Sequence, residues 1–413
     1  MEFHLLLIYA LAYVGLFTTA FYALSMASYY RKKSIPSESD GKSVSIIIPA
    51  HNEEKSIEKT IKSALEINYP KDRMEIIVVD DGSTDSTYSI AKSFPVMVIR
   101  KERGGKGAAL NRGIMKAMNE IIITMDADTI AEPDAVRKMM AHFYDEKVVS
   151  VTPSIGVYRP KGLMGRVQQI EYYLGTFMRK TFATVNAIYV TPGAFAAYRK
   201  SFFTKHGFFD EHNITEDLEI ALRIQSKKLA IENAPSAAVY TVAPEKFTDV
   251  LTQRKRWYTG LIINMWDYRR LYGFEHGILG KVILPTATVS VLFAVLIMSY
   301  LALRSLLELQ KELTFLYSIN FAFYDVLEIS AYSLQNVFFH VFGEPAFIFS
   351  FLFVFVMGAY LHFSRKQMLY KEGTMLNFAF FILVFSLLFA FWWILSLFSA
   401  AFSKGVKWRN EDG

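Results

Sequence analysis

The sequence contains no cysteine, which excludes a disulfide framework, a zinc-thiolate centre and a cysteine nucleophile. Histidine is sparse, at 8 of 413 residues and unclustered. Neither HExxH nor GxSxG occurs, so zinc and serine hydrolases of those types have no basis. Charged residues make up only 20% of the chain, against 52% hydrophobic and 15% aromatic, a balance that excludes a disordered or fibrous protein. The mean hydropathy of +0.23 points to at least one segment in lipid. The net charge is +6, but the basic residues flank apolar segments or lie in loops. They form no uninterrupted patch, so no nucleic-acid partner is expected.

Apolar runs divide the chain. Residues 5–30 carry no charge and are followed at once by Arg31, Lys32 and Lys33. That order predicts an uncleaved anchor (1–33) with the following residues cytoplasmic. Residues 34–245 read as a folded domain entered through a short Ser/Pro/Gly linker. The segment 246–277 reads as interfacial, with basic residues, Trp257, Trp266 and tyrosines. In 278–413, residues 278–303, 345–363 and 376–402 predict spans, Pro285 being a candidate kink. Residues 314–340, with Asp325 and Glu328, read either as a fourth C-terminal span or as interfacial, and the loop charges tie between the two topologies. A second amphipathic stretch, 163–182, places Leu163, Val167, Ile170, Leu174, Phe177 and Phe182 near one helical face. Arg166, Arg179 and Lys180 could then meet headgroups, or the stretch could be a core helix.

Between Val44 and Ala243, short Ile/Val runs alternate with helical stretches, which predicts an α/β, Rossmann-like domain with a mostly parallel sheet. In such sheets function gathers at the carboxyl ends of the strands. Asn52 and Glu53, Asp80 and Asp81, and Asp126 and Asp128 stand at those ends. Asp126 and Asp128, one residue apart, suit a hard cation that also takes phosphate oxygens, such as Mg²⁺ or Mn²⁺. A solvated acidic turn would look the same. Asp80 and Asp81 open the turn DDGSTD, where a carboxylate can accept from a base or ribose, while Ser83, Thr84 or Asp85 could cap the next helix. Asn52 and Glu53 could equally just start a helix ending near Ile67. RKERGGKGAALNRG fails the P-loop and GxGxxG spacings, leaving a flexible loop that offers Lys106 to an anion. In Thr215-Glu216-Asp217, Thr215 can cap and one acid can serve the helix dipole, but two acids exceed that need. Gln253, Arg256 and Trp257 in QRKRW suit a diphosphate and a sugar ring; a basic membrane-surface helix is the alternative.

These motifs occur in one order: IPAHNEE, VVDDGSTD, GGKGAALNRG, DAD, TPGAFAAYR, TED and QRKRW. In that order the chain resembles membrane-embedded processive glycosyltransferases of family 2, with the GT-A fold, among them cellulose, chitin, hyaluronan and poly-N-acetylglucosamine synthases. The resemblance runs from about Val44 to Trp257 and is most similar to the last of these. It implies donor-nucleotide contacts at Asn52, Glu53, Asp80, Asp81, Lys106, Asp126, Gln253 and Arg256, metal contacts at Asp126 and Asp128, and an acceptor-facing wall at Gly193 with Trp257. It further implies Asp217 as general base beside Glu216, a UDP-sugar donor (UDP-N-acetylglucosamine or UDP-glucose), Mg²⁺ or Mn²⁺, and a polysaccharide or lipid-linked acceptor at a membrane. Only one predicted span precedes the domain, and no gating loop or regulatory domain is recognisable. Those departures leave single-sugar transfer to a lipid as the alternative, and a non-catalytic scaffold or sensor as a distant one.

Overall fold

The computed structural model describes residues 3–32, 38–320, 335, 345–366 and 375–401. A first helix, α1 (Phe3–Lys32), precedes an alternating unit: β1 (Val44–Ala50), α2 (Ile57–Leu65), β2 (Met74–Asp81), α3 (Thr87–Lys92), β3 (Met97–Lys101), α4 (Lys106–Lys116) and β4 (Ile121–Met125). It continues through β5 (Thr129–Ala131), α5 (Ala135–Met140), β6 (Val148–Val157), α6 (Gly162–Thr184), β7 (Phe195–Arg199), α7 (Lys200–His206), α8 (Glu216–Ser226) and β8 (Ala230–Thr241). Helix α9 (Phe247–Asp267) follows, then α10 (Leu284–Ser318), α11 (Pro345–Arg365), α12 (Met375–Phe380) and α13 (Ser386–Ala401).

The eight strands form one sheet in the order β3-β2-β1-β4-β7-β6-β8-β5. The Ile/Val runs are buried on both faces because each face is covered. Ile46 and Ile48 pack with Ile57 and Ile61 of α2, whereas Ile47 points the other way onto Leu110 and Ile114 of α4. Successive side chains of a strand alternate between faces, so one such run feeds two cores.

The sheet is mostly parallel, as expected, but two antiparallel strands, β7 and β5, make it mixed. β3, β2, β1 and β4 are parallel neighbours, but β7 runs antiparallel between β4 and β6, and β5 is antiparallel to β8. This departure matters for the site. With Met125 paired to Phe195, the start of β7 lies beside the end of β4, and the Asp126 N–H donates to the Ala194 carbonyl at 3.0 Å. An all-parallel arrangement would have put residues 191–194 at the opposite edge.

Among the described residues, the continuous helical stretch Leu279–Ser318 is long and apolar enough to cross a membrane. The pair Leu376–Leu383 and Leu388–Ala401, bent by 40°, would make a second span if taken as one; Ala12–Ala27 and Phe351–Arg365 are shorter apolar helices. Pro285 produces no break: it falls in the first turn of α10, directly after a π-helical turn at Leu279–Ile283. The missing proline N–H falls at the join between the π-turn and the α-helix, where the hydrogen-bond ladder changes register. Of the ambiguous stretch 314–340, residues 314–318 continue α10, while 321–334 and 336–340 lie outside the described residues.

Helix α6 packs both on the sheet and on the apolar helices. It lies against β6 and β8 on one side and against α1 and α11 on the other, with Val167, Ile170, Tyr173 and Phe177 buried. Lys180 does not reach for headgroups, since it is buried and donates to the Asn233 carbonyl at 3.1 Å. Arg179 is likewise withdrawn, and burial pulls its guanidinium down to about 10. Helix α9 packs on α13, where Tyr258 stacks on Trp393 with ring centroids 4.7 Å apart.

Candidate active site

The parallel register brings the ends of β1 and β2 level, Ala50 opposite Asp80 and Asp81 opposite Lys101. Asn52 turns the chain out of β1 at φ 53°, a left-handed conformation that asparagine tolerates better than most residues. Its Oδ1 accepts from the Thr84 N–H at 2.9 Å, and its own N–H donates to Ser83 Oγ at 3.0 Å. The Glu53 N–H donates to Thr87 Oγ1 at 2.7 Å. Asn52 and Glu53 thus tie the β1 turn to the DDGSTD turn as well as leading into α2. The residue before α3 is Ser86, which makes no side-chain cap; Asp85, one residue earlier, accepts from the Thr87 N–H at 2.9 Å and the Glu54 N–H at 3.2 Å.

The two acids of DDGSTD have different surroundings. Asp81 is saturated: Oδ1 accepts from Lys101 Nζ at 2.5 Å and from the Gly104 N–H at 2.9 Å, and Oδ2 from the Gly105 N–H at 2.7 Å. Asp80 accepts from the Ser83 N–H at 3.3 Å and pairs with Arg100 Nε at 3.2 Å, with Oδ2 lacking a well-directed hydrogen bond. Asp80 therefore retains accepting capacity at the sheet edge, while Asp81 clamps the glycine turn.

That clamp corrects the flexible-loop expectation for Lys106, which is the first residue of α4 after Gly105. Its ammonium is half-enclosed by acids, 2.6 Å from Asp126 Oδ1 and 3.2 Å from Glu216 Oε1. Burial works against its charge, yet Asp126, Glu216 and Asp217 together hold it above the usual lysine range. Asp217 lies in the first turn of α8. Oδ1 accepts from the Leu218 N–H at 2.9 Å, Oδ2 from the Gly193 N–H at 2.9 Å, and its carbonyl from Thr191 Oγ1 at 2.6 Å. Burial and the charge of Glu216 push its carboxyl up to about 6, against Lys106, Arg256 and the Gly193 N–H. Thr215 precedes α8 without capping it; its hydroxyl accepts from Asn264 Nδ2 at 2.9 Å, fixing α8 to α9.

Gly193 is placed by close approach. A Cβ there would lie 2.8 Å from Lys106 Nζ and 3.1 Å from Asp217 Oδ2, closer than ordinary contact. Asp128 is half-buried and accepts from Thr241 Oγ1 at 3.3 Å. Burial, then Asp126 and Glu53, push it up to about 7, and burial also raises Asp126 against the pull of Lys106. No three acidic or imidazole side chains form a metal cage among the described residues. Asp126 and Asp128 nevertheless fit Mg²⁺ or Mn²⁺, because such ions take one or two carboxylates and complete their shell with water and phosphate oxygens. Two carboxylates raised chiefly by desolvation, with Glu216 adding for Asp126 and Asp126 for Asp128, are what a divalent cation would relieve.

Arg256 donates to the Ile214 carbonyl at 3.3 Å and acts electrostatically on both Asp126 and Asp217. Gln253 accepts from Arg254 at 2.7 Å. Trp257 is partly buried, with the Arg254 guanidinium 4.2 Å from its ring centroid. Residues that sequence reasoning passed over include Arg254 itself, Glu171, Tyr172 and Thr241. Arg254 sat inside a quoted motif, but only packing reveals it as the fully buried one of three cations in a row.

Residues 45–207 match the sequence model described as Glycosyl transferase family 2. The chain is 30% identical to poly-beta-1,6-N-acetyl-D-glucosamine synthase of Staphylococcus aureus over 224 residues, 52% of this chain and 54% of the relative. It is also 30% identical to the synthase of the same description from Staphylococcus epidermidis, over 54% of this chain and 57% of the relative. It thus spans about half the length of these curated relatives. Among solved structures, a mannosyltransferase from Pyrobaculum calidifontis, in complex with GDP-Man and Mn²⁺, aligns with a TM-score of 0.54 at 21% identity, covering 88% of this chain and 99% of the other. At that identity the likeness speaks for the GT-A fold.

Proposed function

We propose, from the match of residues 45–207 to glycosyl transferase family 2, that the protein is an inverting membrane glycosyltransferase of that family. It would extend a β-linked polysaccharide from a UDP-sugar, either UDP-N-acetylglucosamine or UDP-glucose. The carrying observation is the convergence of Lys106, Asp126, Glu216, Asp217 and the Gly193 N–H from four separate chain segments. The synthases similar to the chain over the same region favour the polymer product.

Asp217 takes the proton of an acceptor hydroxyl, whose oxygen attacks the anomeric carbon as the bond to the diphosphate breaks and UDP leaves with the electron pair. A base held near 6 is ionised at neutral pH yet still basic enough to accept that proton. Gly193 and Leu218 N–H groups fix the carboxylate in place. Lys106 and Arg256 supply positive charge where the diphosphate departs, and Gln253 supplies an amide. A Mg²⁺ or Mn²⁺ ion at Asp126 and Asp128, with Glu53 nearby, would add neutralisation of that diphosphate. Asp80, with Asn52 beside its turn, would receive the nucleoside, and Trp257 the acceptor sugar. The apolar helices would hold the domain on the cytoplasmic face of a multi-pass assembly.

A lipid-linked acceptor is the second reading, favoured by the seating of α6 against α1 and α11 beside the domain. The test is nucleotide release by the full chain in nanodiscs with a panel of UDP- and GDP-sugars, with and without Mn²⁺, followed by sizing of labelled product. A high-mass ladder supports polymer synthesis and a single lipid-extractable product the second reading. Asp217→Asn that binds UDP and still transfers sugar at the native rate would overturn the base assignment.

A further inference from the structure

Arg254 is fully buried, a costly place for a guanidinium. Its Nη2 donates to Glu171 Oε2 of α6 at 2.5 Å, its Nη1 donates to Gln253 Oε1 at 2.7 Å, and its plane lies 4.2 Å from the Trp257 ring centroid. The Nε has no hydrogen-bond partner. A buried ion pair returns little net stability compared with apolar side chains of the same size, so stability alone does not account for it. The contacts do more than pair charges. A guanidinium can only donate, so the atom of Gln253 that faces it must be the amide carbonyl. The NH₂ end, with its two donors, is thereby turned away from Arg254 and left for another acceptor.

We propose that Arg254, braced by Glu171 and by the face of Trp257, is a positioning residue that orients Gln253 so that its amide NH₂ meets the donor diphosphate. The inference rests on the reading of Gln253 as a diphosphate contact. Without Arg254 the Gln253 amide is free to rotate and present its carbonyl, which would repel a phosphate oxygen. A lysine keeps the charge for Glu171 but lacks the planar fork that serves Glu171, Gln253 and Trp257 together.

The experiment measures UDP and GDP binding in the presence of Mn²⁺ by calorimetry on the full chain in nanodiscs, for the native protein, Gln253→Ala, Arg254→Lys and the double variant. The expected result is that each single change weakens binding of the preferred nucleotide about tenfold and that the double variant is no weaker than Gln253→Ala alone. Non-additivity is the readout that a merely structural arginine would not produce. Native affinity in Arg254→Lys, or losses that multiply in the double variant, would overturn the proposal while leaving the Gln253 reading in place. Native affinity in Gln253→Ala would instead remove the reading beneath it, and the proposal with it. Should Arg254→Lys fail to fold, Arg254→Met with Glu171→Met replaces the pair by apolar chains, and the same non-additivity with Gln253→Ala decides.

Discussion

Replacing Gly193 with alanine tests the site at its tightest point. The added methyl carbon would stand 2.8 Å from Lys106 Nζ and 3.1 Å from Asp217 Oδ2. Relief to ordinary contact needs the ammonium to retreat by roughly half an ångström and the carboxylate by a few tenths. Lys106 is the flexible end of a long side chain, so it moves first and loosens its 2.6 Å contact with Asp126. Asp217 is held by two backbone N–H groups, so its displacement stretches the bond to residue 193 itself. Misplacement of catalytic groups on the ångström scale costs about a hundredfold in rate, so half of that predicts a loss of about tenfold in kcat, or about 1.4 kcal/mol of transition-state stabilisation. Stability should change by less, because only the ends of Lys106 and Asp217 are crowded. The assay compares steady-state UDP release with the melting temperature of the same preparation. A Gly193→Ala protein with native kcat, or one that loses rate only because it unfolds, would refute the argument.

Activity should rise as pH increases through about 6, since Asp217 is pushed up to about 6 chiefly by burial and must be ionised to act; without metal Asp128 is pushed up to about 7 by the same cause. The same raised values mean the native state holds protons that the unfolded chain has already released, so stability without metal should fall as pH rises from about 4 to 7; melting temperatures that climb over that range would contradict this. Asp128→Asn should abolish the Mn²⁺ dependence of nucleotide binding, and retained Mn²⁺-dependent affinity in calorimetry would place the ion elsewhere. Asp81→Ala leaves the Gly104 and Gly105 N–H groups without their acceptor, which should cost roughly 2–4 kcal/mol and expose both amides to hydrogen exchange. Asp85→Ala leaves the Thr87 and Glu54 N–H groups without their acceptor, so about 1–2 kcal/mol of stability should go, read as a lower melting temperature.

Much of the fold was legible in the residues because local rules and tertiary context agreed. The Ile/Val runs at 44–50, 74–81, 97–101 and 121–125 became parallel strands of one sheet, and the acids at or after the ends of three of them marked one edge. The motif residues were legible as candidates, since paired carboxylates and a glycine-flanked lysine at strand ends suit charged ligands as well as solvated turns and caps. Their arrangement was not. The antiparallel setting of β7 gives no signal in FAAYR, yet it carries Gly193 to Asp217. Lys106 read as a loop residue because glycines precede it; the clamp that turns it into a helix start comes from Asp81, at the end of a different strand.

The sequence by itself determined which side chains must leave water. Burial preference and strand alternation are properties of each residue and its immediate neighbours. Only the tertiary structure decided the company of each carboxylate: Asp81 takes Lys101 and a glycine turn, while Asp217, also held by two backbone N–H groups, is raised by burial and Glu216 beside Lys106. It likewise decided that Arg254, among three successive cations of one motif, is the one taken inside. Hydrogen-bond saturation and desolvation are set by what arrives from distant parts of the chain, and spacing along the sequence does not encode that company.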